Sequence, residues 1–251
     1  GGFPLQVPDE VRDETQLMAY FRHWKPAYAA GTRRTYANPS IGLLGLITAR
    51  QMGLSYQAAL EQRLFPALGL HNSHVQVPAD RLALYAQGYT RDDVPVRLNP
   101  GVLANEAYGV KSSSHDLLHF VEAQLDRSPP DTPLKQALAA TRTGYYQVGA
   151  MTQDLIWEQY AYPVSLNALL EGNASAMVLN THDVTPLQPP QPPQPASWVN
   201  KTGSTNGFGG YVAFVPAQQV GVVILANKNY PNEARVRLAY RILGAVSHPA
   251  P

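Results

Sequence analysis

Apolar positions along the chain change their spacing twice. From Thr15 to Trp24, the residues Leu17, Tyr20, Phe21 and Trp24 recur at helical intervals, which predicts a short helix with one largely aromatic side. Ahead of it, residues 1–13 (GGFPLQVPDEVRD) read as an extended, proline-marked segment. Pro26, Gly31 and the pair Arg33-Arg34 punctuate a loop. Asn38-Pro39 has the pattern of a helix N-cap followed by proline in the first turn. The apolar run Ile41–Met52 then predicts a buried helix, in which Gly42 and Gly45 give up helix propensity for close packing. A further helix starts at Ser55 and stops before Pro66 or at Gly69. Val75 to Lys111 has little period and many turn residues, so a long loop is expected. Helical spacing returns over Ser114–Leu125, with Leu117, Leu118, Val121 and Leu125 inward, and over Thr132–Thr141.

Residues 184–197 (VTPLQPPQPPQPAS) hold six prolines and predict an irregular or polyproline-like connector; a ligand for a proline-binding module is the alternative. Beyond it the pattern turns to strands: Trp198–Gly203, then a hairpin of Gly210–Val215 and Val220–Asn227 around Pro216-Ala217-Gln218-Gln219. Glu233–Val246 regains helical spacing through Val236, Leu238, Ala239, Ile242, Leu243 and Val246. The expected fold is α+β, an antiparallel sheet flanked by helices beside an all-helical region. Three segments follow: 1–183, mostly helical; 184–197, the proline-rich loop; and 198–251, strands and a C-terminal helix.

With 251 residues, 45% of them hydrophobic, the chain can bury a sizeable core. Its 19 basic and 18 acidic residues balance to +1 with no basic block, which argues against a nucleic-acid partner. The longest apolar runs, such as Val220–Ala226, are too short to span a bilayer. The absence of cysteine excludes disulfides, thiol catalysis and cysteine metal sites. The start at Gly1-Gly2-Phe3, without methionine or signal peptide, points to a removed targeting segment or a fragment.

Two short motifs carry chemistry. Lys201-Thr202-Gly203, followed by Ser204, places an ammonium, hydroxyls and a bare backbone at a strand rim, which suits a carboxylate and an oxyanion. By itself the tripeptide also describes an ordinary strand end with a solvated lysine. Tyr36-Ala37-Asn38 offers a phenol that becomes a base beside positive charge, and an amide two residues on. By itself it also describes a packed tyrosine at a helix cap. Weaker patterns are His115/His119 at helical spacing, His71/His74 in a loop and the sequon Asn173-Ala174-Ser175. Trp24, Trp157 and Trp198 read as core or pocket packing, and no Gly-x-Ser-x-Gly elbow is present.

In this order, Tyr-Ala-Asn and a distant Lys-Thr-Gly resemble class C β-lactamases. RTYANPSIGLLG, EAYGVKSSSHDL, SWVNKTGSTNGFGGYVAFVP and VGVVILANKNYPNEARV strengthen the likeness, which runs from Gly1 to about Val246. The resemblance implies a β-lactamase/penicillin-binding-protein-like fold and a serine acyl-enzyme that needs no cofactor and no metal. It implies that Tyr36 exchanges protons with the nucleophile and leaving group, that Lys201 supports the phenolate and attracts the substrate carboxylate, and that the Ser204 N–H is half of the oxyanion hole. Gln6 and Asn38 would bind the acyl side-chain amide, Thr202 would contact the carboxylate, Gly203 would allow close approach, Asn232 and Arg235 would line the carboxylate end, and Tyr108 would wall the acyl pocket. Val75 to Ser112 would be the omega loop.

One departure is large. The family nucleophile lies in Ser-x-x-Lys, yet Arg22, Tyr108, Thr132, Trp198 and Leu225 stand three residues before the five lysines. The chain thus reads as the C-terminal portion of a periplasmic, monomeric cephalosporinase, inactive alone and incomplete at the N-terminus of its fold. A serine D,D-peptidase or penicillin-recognising esterase on the same fold, and a non-catalytic β-lactam-binding fragment, are the alternatives.

Overall fold

A computed structural model describes residues 2–99, 101–129 and 131–247. Expectations for Gly1 and for 248–251 lie outside the described residues. In chain order the elements are α1 (Glu14–His23), β1 (Arg33–Thr35), α2 (Asn38–Gln51), α3 (Tyr56–Ala59), α4 (Phe65–Ala67), β2 (Gly88–Tyr89), β3 (Pro95–Val96), α5 (Ala104–Tyr108), α6 (Ser114–Leu125) and α7 (Pro133–Ala140). There follow β4 (Gly144–Val148), β5 (Met151–Gln153), β6 (Glu158–Ala161), α8 (Leu166–Gly172), α9 (Ser175–Leu179), β7 (Thr181–Asp183), β8 (Thr185–Gln191), β9 (Ser197–Ser204), β10 (Gly209–Val215), β11 (Val220–Ala226) and α10 (Asn232–Ser247).

Seven strands form one antiparallel sheet in the order β11-β10-β9-β6-β5-β4-β8. Alternation along the strands gives each face its own core. One face presents Tyr160, Trp198, Tyr211, Ala213 and Val215 to Leu169 of α8 and to Val236, Ala239 and Leu243 of α10. The other presents Trp157, Val199 and Phe214 to Val121 of α6. Burying each such side chain is worth about 1.5–3 kcal/mol, so these two layers dominate the stability of the sheet.

The long loop is fastened rather than free. Gly88 and Tyr89 lie against the β9–β10 turn and the segment after β11, through Tyr89 N–H to Asn227 O (2.9 Å) and Asn229 N–H to Tyr89 O (2.9 Å). Close packing of α2 on α5 has the predicted cause. A Cβ on Gly42 would lie 2.8 Å from Leu103 Cβ, and one on Gly45 would lie 3.0 Å from Glu106 Cβ.

Several expectations change. The proline-rich segment is irregular only in part: Thr185–Gln191 form β8, an edge strand on β4 with a register shift between Gly144 and Tyr146, while 192–196 have no regular structure. An edge is where missing proline N–H groups are tolerated. The mostly helical segment 1–183 also contributes β4, β5 and β6 to the large sheet. Asn38 is the first residue of α2 and not its cap, and Leu44 and Ile47 of that helix are exposed rather than buried. Leu118 also faces solvent, because the inward face of α6 is set by Asp116, Val121 and Gln124. On α10, Leu238, Ile242 and Val246 are exposed while Arg235 is buried.

Candidate active site

All the predicted site residues except Arg235 line one open cleft. Tyr36 enters it between β1, whose register with β7 is Thr35↔Thr181, and α2. Asn38 donates its N–H to Leu5 O at 3.0 Å, which sets Gln6 beside the start of α2. The same segment is anchored by Phe3 stacked on Trp24, with centroids 4.0 Å apart. Tyr108 ends α5; burial pushes its hydroxyl pKa above the usual tyrosine value.

Lys201 to Ser204 occupy the far half of β9. That strand pairs with β6 only as far as Glu158↔Asn200, whereas its pairing with β10 continues to Ser204↔Gly209. Among the described residues, the edge beyond Asn200 therefore lacks a strand neighbour on the β6 side, and its backbone groups stand at the cleft. Burial along β9 follows the same division: Ser197–Asn200 are buried, and Gly203 and Ser204 are exposed.

Two cations flank one phenol. Lys201 Nζ lies 5.0 Å, and the Arg34 guanidinium carbon 5.8 Å, from the Tyr36 ring centroid. Both are tied to one buried carboxylate: Arg34 Nη2 donates to Glu158 Oε1 at 2.9 Å, and Lys201 Nζ lies 3.8 Å from the same oxygen. Arg34 is further fixed by donating to Gln153 Oε1 and to Met177 O, both at 2.7 Å. Lys201 Nζ also donates to Thr202 O at 3.0 Å. Positive charge held this way favours a negative charge forming at the cleft end of β9.

Asn232 and Arg235 divide a task that the sequence assigned to both. Asn232 lines the cleft, and its Oδ1 accepts from Ser204 Oγ at 3.1 Å. Arg235 is fully buried behind it, donating to Gly203 O (2.7 Å), Gly210 O (2.9 Å) and Ser204 Oγ (2.8 Å), and bonded to Asn232 Oδ1. It does not line the cleft; it supports the groups that do. Gly209 makes room for it, since a Cβ there would meet Nη1 at 2.4 Å.

The minor patterns resolve simply. The His115 and His119 rings lie 4.5 Å apart, and no set of three metal-ligating side chains forms among the described residues. Asn173 of the sequon is buried, with its amide bonded to Leu169 O and Asn200 Oδ1. No described helix is long and apolar enough to cross a membrane.

The pattern that defines the family described as Beta-lactamase matches residues 1–247. The chain belongs to the β-lactamase family. It is 50% identical to a β-lactamase of Pseudomonas fluorescens over 246 residues, 98% of this chain and 69% of that protein. Its fold superposes with a TM-score of 0.95 on the β-lactamase/D-alanine carboxypeptidase from Pseudomonas syringae, at 62% identity, covering 100% of this chain and 69% of that one. A class C β-lactamase in complex with cefoxitin gives a TM-score of 0.91 at 51% identity, covering 97% and 68%. The chain spans 61% to 69% of the length of the first three curated relatives it matches.

Family membership accounts for the two motifs, but Arg34, Gln153, Glu158 and Asn200 escaped the reading of the sequence. Arg34 was read as half of a basic pair in a loop and as the start of RTYANPSIGLLG, with no role assigned, and Glu158 was not singled out. Arg34 stands two residues before Tyr36, but Glu158 is 124 residues from Arg34 and 43 from Lys201, so only the folded sheet brings that carboxylate to the two cations.

Proposed function

We propose that this chain supplies the tyrosine–lysine and carboxylate-binding parts of a serine β-lactam hydrolase, whose nucleophile lies outside these 251 residues. The observation that carries the reading is Tyr36 held between Lys201 and Arg34, at the mouth of a cleft bordered by the free edge of β9. The serine attacks the lactam carbonyl, and Tyr36 takes its proton and passes it to the lactam nitrogen as the C–N bond breaks. The Ser204 N–H, with the N–H of the serine, stabilises the oxyanion. Lys201, Thr202 and Asn232 hold the substrate carboxylate, Gln6 and Asn38 hold the side-chain amide, and Tyr108 closes the acyl pocket. Gly203 permits close approach, and Arg235 acts through Ser204 and Asn232. A water then attacks the acyl carbon, gives a proton back through Tyr36 to the serine, and releases the opened product. The family resemblance also supports cephalosporins as preferred substrates, a periplasmic address and a monomeric complete protein.

The Pseudomonas syringae relative carries both β-lactamase and D-alanine carboxypeptidase in its description, which favours peptidase activity as the second reading. The test joins this chain to a matching N-terminal segment that carries Ser-x-x-Lys and measures nitrocefin hydrolysis, with folding checked by circular dichroism. Tyr36→Phe and Lys201→Ala should each cut turnover by about 10²–10³-fold, as loss of a preorganised electrostatic group does. A folded joined protein that is acylated by penicillin and never turns over replaces hydrolase with peptidase.

A further inference from the structure

The cations beside Tyr36 and the amide at the carboxylate end belong to different elements: Arg34 lies on β1, Lys201 on β9, and Asn232 begins α10. One buried side chain reaches the supports of all three. Asn200 is fully buried on β9, one residue before Lys201. Its Nδ2 donates to the backbone carbonyl of Glu158 at 2.6 Å. Its Oδ1 accepts from Tyr211 OH at 2.9 Å and from Asn173 Nδ2 at 2.9 Å.

These partners leave one orientation for the amide. The Glu158 carbonyl can only accept, so it must face the NH₂ group. The Tyr211 hydroxyl already accepts from Trp198 Nε1 at 3.2 Å, so it donates to Asn200. From this hub two branches run to the cleft. Glu158 holds Arg34 at 2.9 Å and lies 3.8 Å from Lys201 Nζ. Asn173, at the end of α8, receives Asn232 Nδ2 on its carbonyl at 3.5 Å.

We propose that Asn200 is a positioning residue, which fixes the Glu158 anchor of Arg34 and Lys201 and, through Asn173, the Asn232 amide. It touches no substrate. Buried hydrogen bonds of this kind hold direction as well as stability, because each bond to Asn200 fits a single donor–acceptor arrangement. The Asn200→Leu change keeps the branching of the side chain and leaves the Glu158 carbonyl, Tyr211 hydroxyl and Asn173 amide without their partner. The Asn200→Asp change keeps the acceptor but turns a second oxygen against the Glu158 carbonyl.

The proposal rests on the β-lactam hydrolase reading, and its test separates the two. In the joined protein described above, kcat and KM for nitrocefin are measured for Asn200→Leu and Asn200→Asp, each alone and combined with Glu158→Gln, at a temperature where all variants are folded. Both single changes should lower kcat by about tenfold to a hundredfold, the size expected when reacting groups shift by about 1 Å. In the Glu158→Gln background the same changes should lower kcat by a factor at least about threefold smaller, because the Glu158 branch is already gone and only the Asn173–Asn232 branch is left. A purely structural role gives the same loss in both backgrounds and overturns the proposal, as does a folded single variant within about twofold of the parent. If the unsubstituted joined protein fails to hydrolyse nitrocefin, the hydrolase reading falls, and with it the proposal.

Discussion

The two faces of the large sheet are built to different standards. Toward α8 and α10, Tyr211, Trp198, Asn200 and Asn173 form a hydrogen-bonded chain inside an apolar layer. Toward α6, the layer around Trp157, Val199 and Phe214 is smaller, and the strands beside it carry buried polar atoms without partners. Both carboxyl oxygens of Asp154 and both amide atoms of Gln159 are orphaned there, as is Gln124 Oε1 on α6. The first face stands behind the cleft and fixes its charges; the second holds a carboxyl group that no charge-bearing step uses. Tyr160 OH and Asn173 Oδ1 lack partners on the first face too, so what separates the two faces is that the first carries a bonded chain from the core to the cleft.

The sharpest way to break the first face is Trp198→Ala, which removes a fully buried side chain from its centre. It should cost about 3–5 kcal/mol in urea unfolding; a loss under about 1 kcal/mol would show that this layer repacks freely. Next is Glu158→Gln, which keeps the shape but removes the charge shared by Arg34 and Lys201. Turnover of the joined protein should fall by about tenfold to a hundredfold, and the melting temperature should fall as well, since Arg34 is left with an uncompensated charge in a nearly buried site. Unchanged kcat would mean that the two cations are held by their other bonds alone.

On the second face, burial pushes the Asp154 carboxyl up to about 8, against the opposing pull of Arg142. The folded chain therefore keeps a proton that the unfolded chain loses near pH ~4. Stability from this group is full below that pH, declines as pH rises toward about 8, and is then constant. Asp154→Asn, which cannot ionise, should gain on the parent across that window, by about 2–4 °C in Tm for each kcal/mol. Melting curves at pH 5 and 8 check it; an equal difference at both would remove Asp154 from the account. The smallest effect belongs to Gln159→Leu. Replacing an unpaired buried amide by an apolar side chain should be neutral or stabilising by about 1 kcal/mol, and a clear loss in chemical unfolding would reveal a partner for that amide.

Helix and strand positions were legible where period and punctuation agreed. Ser114–Leu125 and the hairpin after Trp198 lie where their spacing put them. The proline-rich strand β8 was not legible, since its pairing with β4 comes from a sheet edge that a linear pattern does not display. Leu44, Ile47 and Leu118 were read as core because hydrophobicity marks a residue as able to be buried, not as covered by a neighbour. In the site, Lys-Thr-Gly and Tyr-Ala-Asn were found by their order along the chain. Arg34 and Glu158 come from positions 124 residues apart in sequence and carry no motif.

Sequence alone determined the residue types available for chemistry, the family they resemble and the absence of Ser-x-x-Lys among these residues. Tertiary structure decided which charges share an anchor, which carboxyl lies orphaned, and that Arg235 supports the cleft from behind. The division has a physical reason: side-chain identity is local, whereas burial, charge pairing and hydrogen-bond direction depend on which distant strands the sheet sets side by side.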